Sequence, residues 1–187
     1  MPNPLLPLVD KTAMAPRWRE AAQTAERERE ESTFLQVAAN APEMLRWYYD
    51  DFYKTVFHSG RIERRMKELL RLKLSTLHGC AYCNRNNTKA ARDSGVTEEQ
   101  IDSIWDMNAK CFDDRERGVM MLAEQMSMQN MSGELTPEIY ATLRRHFDDG
   151  QIVELGMTAA VLTGMAKFLF VFDLVSREAN CPIKPRQ

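Results

Sequence analysis

Residues 65–87 read Arg65-Met66-Lys67-Glu68-Leu69-Leu70-Arg71-Leu72-Lys73-Leu74-Ser75-Thr76-Leu77-His78-Gly79-Cys80-Ala81-Tyr82-Cys83-Asn84-Arg85-Asn86-Asn87, and this stretch decides the fold. Met66, Leu69, Leu70, Leu74 and Leu77 make a broad apolar stripe at helical spacing with Arg and Lys interleaved, in a run that begins at Ile62. Gly79 stops the run, and a second helix is expected from about Cys80 to Ser94, ending at Gly95. A cysteine at a helix N-terminus meets unpaired amides and the positive end of the helix dipole, which stabilise its thiolate. On this argument Cys80 is the lower-pKa thiol. The i, i+3 spacing puts Cys83 on the same face, within reach of a reversible disulfide if the first turn accommodates the geometry. A thiolate there attacks a peroxide or disulfide, and its neighbour resolves the product.

If the helices flanking Gly79 fold back on each other, Asn87 and Glu68 lie ~12 and ~16 Å from the turn at ~1.5 Å rise per residue, and so come to face each other. Asn87 follows Cys83 by one helical turn. Cys83, Asn87 and Glu68 therefore form a candidate chain, with Glu68 as proton acceptor, Asn87 as hydrogen-bonding spacer and water completing the link. The structural alternative for Glu68 is an ion pair with a nearby Arg or Lys, because a buried carboxylate without a partner is costly. His78 is either an acid or base beside the cysteines or a turn histidine bonded to helix carbonyls. Tyr82 either lines the site or packs.

Outward from this stretch, helical periodicity dominates and strand signals are almost absent. The 187 residues carry 25 Lys+Arg against 27 Asp+Glu and are 44% hydrophobic, within the range of one globular domain. A formal charge of -2 supplies no basic field for nucleic acid. Leu45, Tyr48, Phe52 and Val56 follow one helical face after Pro42, and Thr97 with Gln100 makes a capping box ahead of Ile101, Ile104 and Trp105. Val119, Leu122, Ala123 and Met126 mark another helix, and Thr136-Pro137 opens one that buries Ile139, Tyr140, Leu143 and Phe147. The last helix is expected from about Gln151 to Val175. Its apolar stretch, Leu155 to Phe172, is interrupted by Lys167 and reads as a buried core helix rather than a membrane span. Residues 1–31 read as a proline-punctuated arm and a peripheral charged helix from Arg17 to Glu31, preceding a helical domain over 32–187. No basic n-region or apolar core of a signal peptide appears in Met1 to Ala15, so a cytoplasmic location is expected.

The residues from Arg65 to Ser75, followed by His78-Gly79-Cys80-Ala81-Tyr82-Cys83, resemble the carboxymuconolactone decarboxylase superfamily, and specifically its alkylhydroperoxidase AhpD-like branch. That pattern is a glutamate, eleven residues, CxxC, three residues and a histidine. Glu68, Cys80 and Cys83 match it; Asn87 stands where the family has histidine. The resemblance implies an all-α fold, trimers or hexamers, and reduction of hydroperoxides or disulfides without haem, flavin or metal; in the thiol cycle read from the cysteine pair, an external dithiol protein reduces the resulting disulfide. By position it makes Cys83 the attacking thiol, Cys80 the resolving thiol and Glu68 the base. The order of the cysteines therefore stays open, since the helix-terminus argument favours Cys80.

A structural zinc site needs four Cys or His ligands, and neither Cys111 nor Cys181 belongs to a second CxxC, so no metal is expected and both read as ordinary thiols. Met120, Met121, Met126, Met128 and Met131 read as adaptable packing or a subunit contact. His58 and His146 sit near helix ends without the pattern of a hydrolase triad. Two rivals remain. One is lactone decarboxylation or related proton chemistry, which needs acid-base groups and a carboxylate-binding cation rather than paired thiols; the other is a non-enzymatic oligomer that senses oxidants through Cys80 and Cys83.

Overall fold

The computed structural model describes residues 2–183. Met1 and residues 184–187, the ends of the expected arm and helical domain, lie outside them. Nine α-helices and no strand occur among the described residues: α1 (Pro16–Arg29), α2 (Thr33–Ala38), α3 (Pro42–Arg46), α4 (Arg64–His78), α5 (Ala81–Asp93), α6 (Glu98–Asp102), α7 (Asp114–Met126), α8 (Pro137–Arg144) and α9 (Asp149–Val171). The fold is all-α, as expected.

Helix α4 forms the axis, packed against α5, α7 and α9. Every residue from Met66 to Ser75 is buried, so the interleaved Lys and Arg residues lie inside the molecule along with the leucines. Each buried charge there has a counter-charge. Lys67 reaches Glu154 of α9 at 2.8 Å and the Val56 carbonyl at 2.6 Å, while Lys73 reaches Glu124 of α7 at 2.9 Å and the Ile104 carbonyl at 3.0 Å.

The caps read from sequence are present. Thr97 and Gln100 form the capping box of α6, and Thr136 caps α8 with Pro137 at its first position. Asp113 with Glu116 and Asp148 with Gln151 make two further boxes.

Two expectations are corrected. The helix read through Leu45, Tyr48, Phe52 and Val56 continues past α3 as a π-helix, Trp47–Phe57, whose hydrogen bonds run five residues back, as from the His58 amide to the Tyr53 carbonyl at 2.8 Å. The wider turn moves the inward position from Val56 to Phe57, which is fully buried. Helix α1 packs one face, Trp18, Ala22 and Ala25, into the same core as Cys80, Tyr82 and Phe170, and its other residues are exposed or half-buried. Helix α9 is a core helix on one side only. Leu155, Ala159, Leu162 and Leu169 face inward, while Val153, Met157 and Val171 are exposed. By length and composition it is the one described helix that could cross a membrane, yet its inner face is built into the cores around α1 and α4.

Between α4 and α5 the chain reverses at Gly79, whose φ of +63° is the left-handed conformation that glycine adopts without penalty. A Cβ here would stand 2.6 Å from the Cys181 amide nitrogen and from Asn180 Oδ1. Gly79→Ala should therefore cost about 2 kcal/mol or more through strain and backbone collision together. Urea unfolding of the variant against the parent checks this; equal midpoints would contradict it.

Candidate redox site

The reversal at Gly79 makes Cys80 the N-cap of α5, its backbone still extended, and places Cys83 in the first turn. The two sulfurs are bonded at 2.06 Å, with Cα atoms 5.1 Å apart, so the first turn accommodates the CxxC disulfide. Sγ of Cys80 also accepts the Cys83 amide at 3.2 Å.

The two cysteines differ in access. Cys80 is fully buried, and the segment after α9 closes over its side: the Glu178 amide donates to the Gly79 carbonyl at 2.8 Å and the Asn180 side chain to the Thr76 carbonyl at 3.1 Å. Cys83 is half-buried and lines a cavity of about 530 Å³. The cavity walls are Tyr48, Tyr49 and Tyr53 of the π-helix, Arg29 of α1, Arg64, Arg71 and His78 of α4, Tyr82, Asn86 and Asn87 of α5, and Leu162, Met165 and Leu169 of α9.

Glu68 is fully buried, and both its oxygens are taken by guanidinium groups: Arg64 donates at 3.1 Å, and Arg71 donates through a second ion pair. This is the structural ion-pair alternative. Asn87 is buried along the cavity wall, one turn from Cys83, but no hydrogen bond joins it to Glu68. The candidate chain Cys83, Asn87, Glu68 is thus not connected in this structure, because the arginines occupy the carboxylate.

His78 is buried as the last residue of α4. Its Nε2 accepts the Met128 amide at 3.1 Å, so it ties α4 to the loop after α7 rather than bonding to helix carbonyls. Burial lowers its pKa to about 4 and keeps it neutral. Tyr82 packs in the core and also lines the cavity; its hydroxyl accepts from Arg29 at 2.8 Å, and burial raises its pKa. Burial likewise raises Tyr48 and Tyr49. His58 follows the π-helix with its ring on the cavity rim, its pKa lowered by desolvation and by Arg64. His146 pairs with Asp114 at 2.8 Å and does not line the cavity.

Cys111 and Cys181 are free thiols, the second buried. Among the described residues no group of three or more His, Cys, Asp or Glu is placed to hold a metal ion. Met120 is fully buried, whereas Met131 is almost fully exposed, so the methionines do not form one cluster.

Sequence reasoning missed the tyrosine wall, Arg71 and Arg29. Tyr48, Tyr49 and Tyr53 were visible as aromatic density in residues 47–57. Arg29 carried no local signal, since only the tertiary fold brings α1 to the cysteines.

Residues 42–125 match the carboxymuconolactone decarboxylase family. This segment holds Glu68, Cys80, Cys83 and Asn87 and sits on an AhpD-like fold. Among curated relatives, the uncharacterised protein YdfG of Bacillus subtilis is 31% identical over 96 residues, covering 50% of this chain and 64% of that protein. A protein of the cox locus in Paracoccus denitrificans is 36% identical over 53 residues, 28% of this chain and 48% of that protein. The chain thus spans less than two thirds of the curated relatives it matches.

Among solved structures, an AhpD-core peroxidase-related protein of Ralstonia eutropha superimposes with a TM-score of 0.72 at 15% identity, over 96% of this chain and 94% of that one. The debrominase Bmp8 bound to 2,3,4-tribromopyrrole superimposes with a TM-score of 0.73 at 16% identity, over 95% and 94% of the two chains. At these identities the likeness concerns the fold.

The buried, neutral His78 makes stability depend on pH. Above its unfolded value of 6.5 both states are neutral; between 6.5 and about 4 the unfolded chain binds a proton that the folded chain refuses. Stability should fall through that window by on the order of 3 kcal/mol as pH drops. His78→Gln, which keeps an acceptor for the Met128 amide, should flatten the slope in urea titrations at pH 7.5, 6 and 5; an unchanged slope would assign it to other groups.

Proposed function

We propose that the chain is a cofactor-independent oxidoreductase that turns over hydroperoxides, or disulfides, through the Cys80–Cys83 pair. The observation that carries this reading is the asymmetry of the pair: one sulfur faces a cavity large enough for a small organic molecule, and its bonded partner is sealed behind it. Access makes Cys83 the attacking thiol and Cys80 the resolving one.

In the cycle, the Cys83 thiolate attacks the terminal oxygen of ROOH. The O–O bond breaks, ROH leaves with a proton from solvent, and Cys83 becomes a sulfenic acid. The Cys80 thiol then attacks the Cys83 sulfur, the S–S bond forms and water leaves. An external dithiol protein reduces the disulfide by exchange and is itself oxidised. Re-reduction of this kind suits a reducing, cytoplasmic setting. Glu68 serves this reading by holding Arg64 and Arg71 at the cavity, and Asn87 by lining the approach to Cys83.

Cys83→Ser should abolish hydroperoxide turnover. Cys80→Ser should consume about one equivalent of peroxide and stop at a Cys83 sulfenic acid that mass spectrometry detects. Hydroperoxide turnover unchanged in the double serine variant would overturn the proposal, and activity on a lactone acid surviving there would select the decarboxylase-like rival. Oxidation without turnover, coupled to a change in assembly, would select the sensor.

The tyrosine-lined cavity favours a second reading, reductive dehalogenation of a small aromatic ring. Here the dithiol supplies two electrons, the carbon–halogen bond becomes carbon–hydrogen, halide leaves and the same disulfide forms. Bromide release from a bromopyrrole by the reduced protein, absent in Cys83→Ser, would select it.

The exposed stripe of Val153, Met157 and Val171 on α9 also fits the expected homo-oligomer. Light scattering should show a trimer or hexamer that Met157→Glu shifts toward the 21.6 kDa monomer; a monomeric parent would remove this part of the reading.

A further inference from the structure

Most cations that line the cavity beside Cys83 are already paired. Arg64 and Arg71 share Glu68, Arg17 holds Asp50 at 2.6 Å and Lys89 holds Asp93 at 2.6 Å. Arg29 differs. Its Nη1 donates to the Tyr82 hydroxyl at 2.8 Å and its Nη2 to Asn86 Oδ1 at 3.1 Å, both neutral acceptors. Its Nε is buried with no hydrogen-bond partner, and its guanidinium stands 5.1 Å over the Tyr82 ring.

None of the nearby carboxylates forms an ion pair with it. Glu30 pairs with Arg85 at 3.1 Å, Glu31 accepts the Ser176 amide and hydroxyl at 2.9 and 3.0 Å, and Glu28 on the rim is exposed without a bond to Arg29. Tyr82 stays protonated, because burial raises its pKa, so it brings no charge either. A half-buried guanidinium whose hydrogen bonds are all to neutral groups has no ion-pair partner in the protein. Arginine is also the side chain whose planar fork matches a carboxylate.

We infer that Arg29 is the anchor for an anionic group of the substrate, so that the cavity takes an organic carboxylate whose apolar body lies among Tyr48, Tyr49, Tyr53 and Met165 with its far end toward Cys83. This rests on the oxidoreductase reading for its purpose but not for its test. Arg29 lies outside the segment 42–125 that matches the family. The anchor is therefore a feature of this chain's N-terminal helix, distinct from the chemistry carried by the CxxC pair.

The test is binding without turnover. In the full-length Cys80→Ser, Cys83→Ser chain, 4-phenylbutyrate and its uncharged amide are titrated by calorimetry or NMR at low and moderate salt. The carboxylate should bind about tenfold or more tightly than the amide, with tyrosine resonances of the π-helix shifting. Adding Arg29→Met should abolish the difference, and Arg29→Lys should restore part of it. Equal binding of acid and amide, binding of neither, or an unchanged preference in Arg29→Met overturns the anchor. If Arg29→Met does not fold, the acid-against-amide comparison in the parent background still decides.

The two proposals fail separately. A preference for the acid with no peroxide turnover in the reduced wild-type chain sinks the oxidoreductase reading and keeps the anchor. Turnover with no preference for the acid does the reverse. A rise in the Cys83 thiol pKa in Arg29→Met, with no loss of acid binding, would assign Arg29 to the thiolate and overturn the anchor.

Discussion

Helix α4 has almost no solvent face, and the rest of the fold answers to that. Its buried segment carries Lys67, Glu68, Arg71 and Lys73, and an unpaired charge in such a place costs several kcal/mol. Each charge therefore dictates a neighbour: Glu154 of α9 for Lys67, Glu124 of α7 for Lys73, and Arg71 on the same helix for Glu68. The leucines allow many packings of similar area, whereas the charges accept few. Breaking one pair leaves its partner stranded, so the ion pairs specify how α7 and α9 sit more than they add to net stability.

The same constraint shapes the site. With α4 locked along its length, its left-handed end at Gly79 and the start of α5 are fixed as well, and with them the direction in which each cysteine points. The tail after α9 seals Cys80, and the cavity opens to Cys83. Proximity to helix amides and access to substrate thus fall on different cysteines, which is a workable division of labour. In the proposed cycle the Cys83 amide would stabilise charge on Cys80, the resolving sulfur, and the cavity would admit substrate to Cys83.

What was legible in the sequence, and what was not, follows the range of the interactions involved. Helix stops, capping boxes and the CxxC at a helix start depend on neighbours within four residues, and Thr97, Thr136 and Gly79 behave as their local chemistry dictates. The π-helix was missed because its sequence satisfies an α period nearly as well; the five-residue hydrogen bonds and the burial of Phe57 in place of Val56 distinguish the two. The pairing of Glu68 was legible as an alternative but not as an outcome, since Arg64 and Arg71 are both one turn away and the choice against Asn87 depends on how far α5 stands off. Arg29 was out of reach, because no spacing rule links α1 to α5 across more than fifty residues.

That last miss bears on how function is distributed in the chain. The segment that matches the family contains the pair of thiols, the buried ion pair and the tyrosines, all on α4, α5 and the π-helix. Arg29 and the α9 side chains Leu162, Met165 and Leu169 reach the same cavity from outside that segment. In both proposed reactions, peroxide cleavage and dehalogenation, a two-electron thiol–disulfide couple would end in the same Cys80–Cys83 bond. On that reading discrimination among substrates comes from the walls, and the half-buried cation there that has no ion pair, Arg29, is contributed by the N-terminal helix. If Arg29 anchors the substrate as proposed, divergence in α1 would change what the cavity accepts while leaving the cysteine pair untouched.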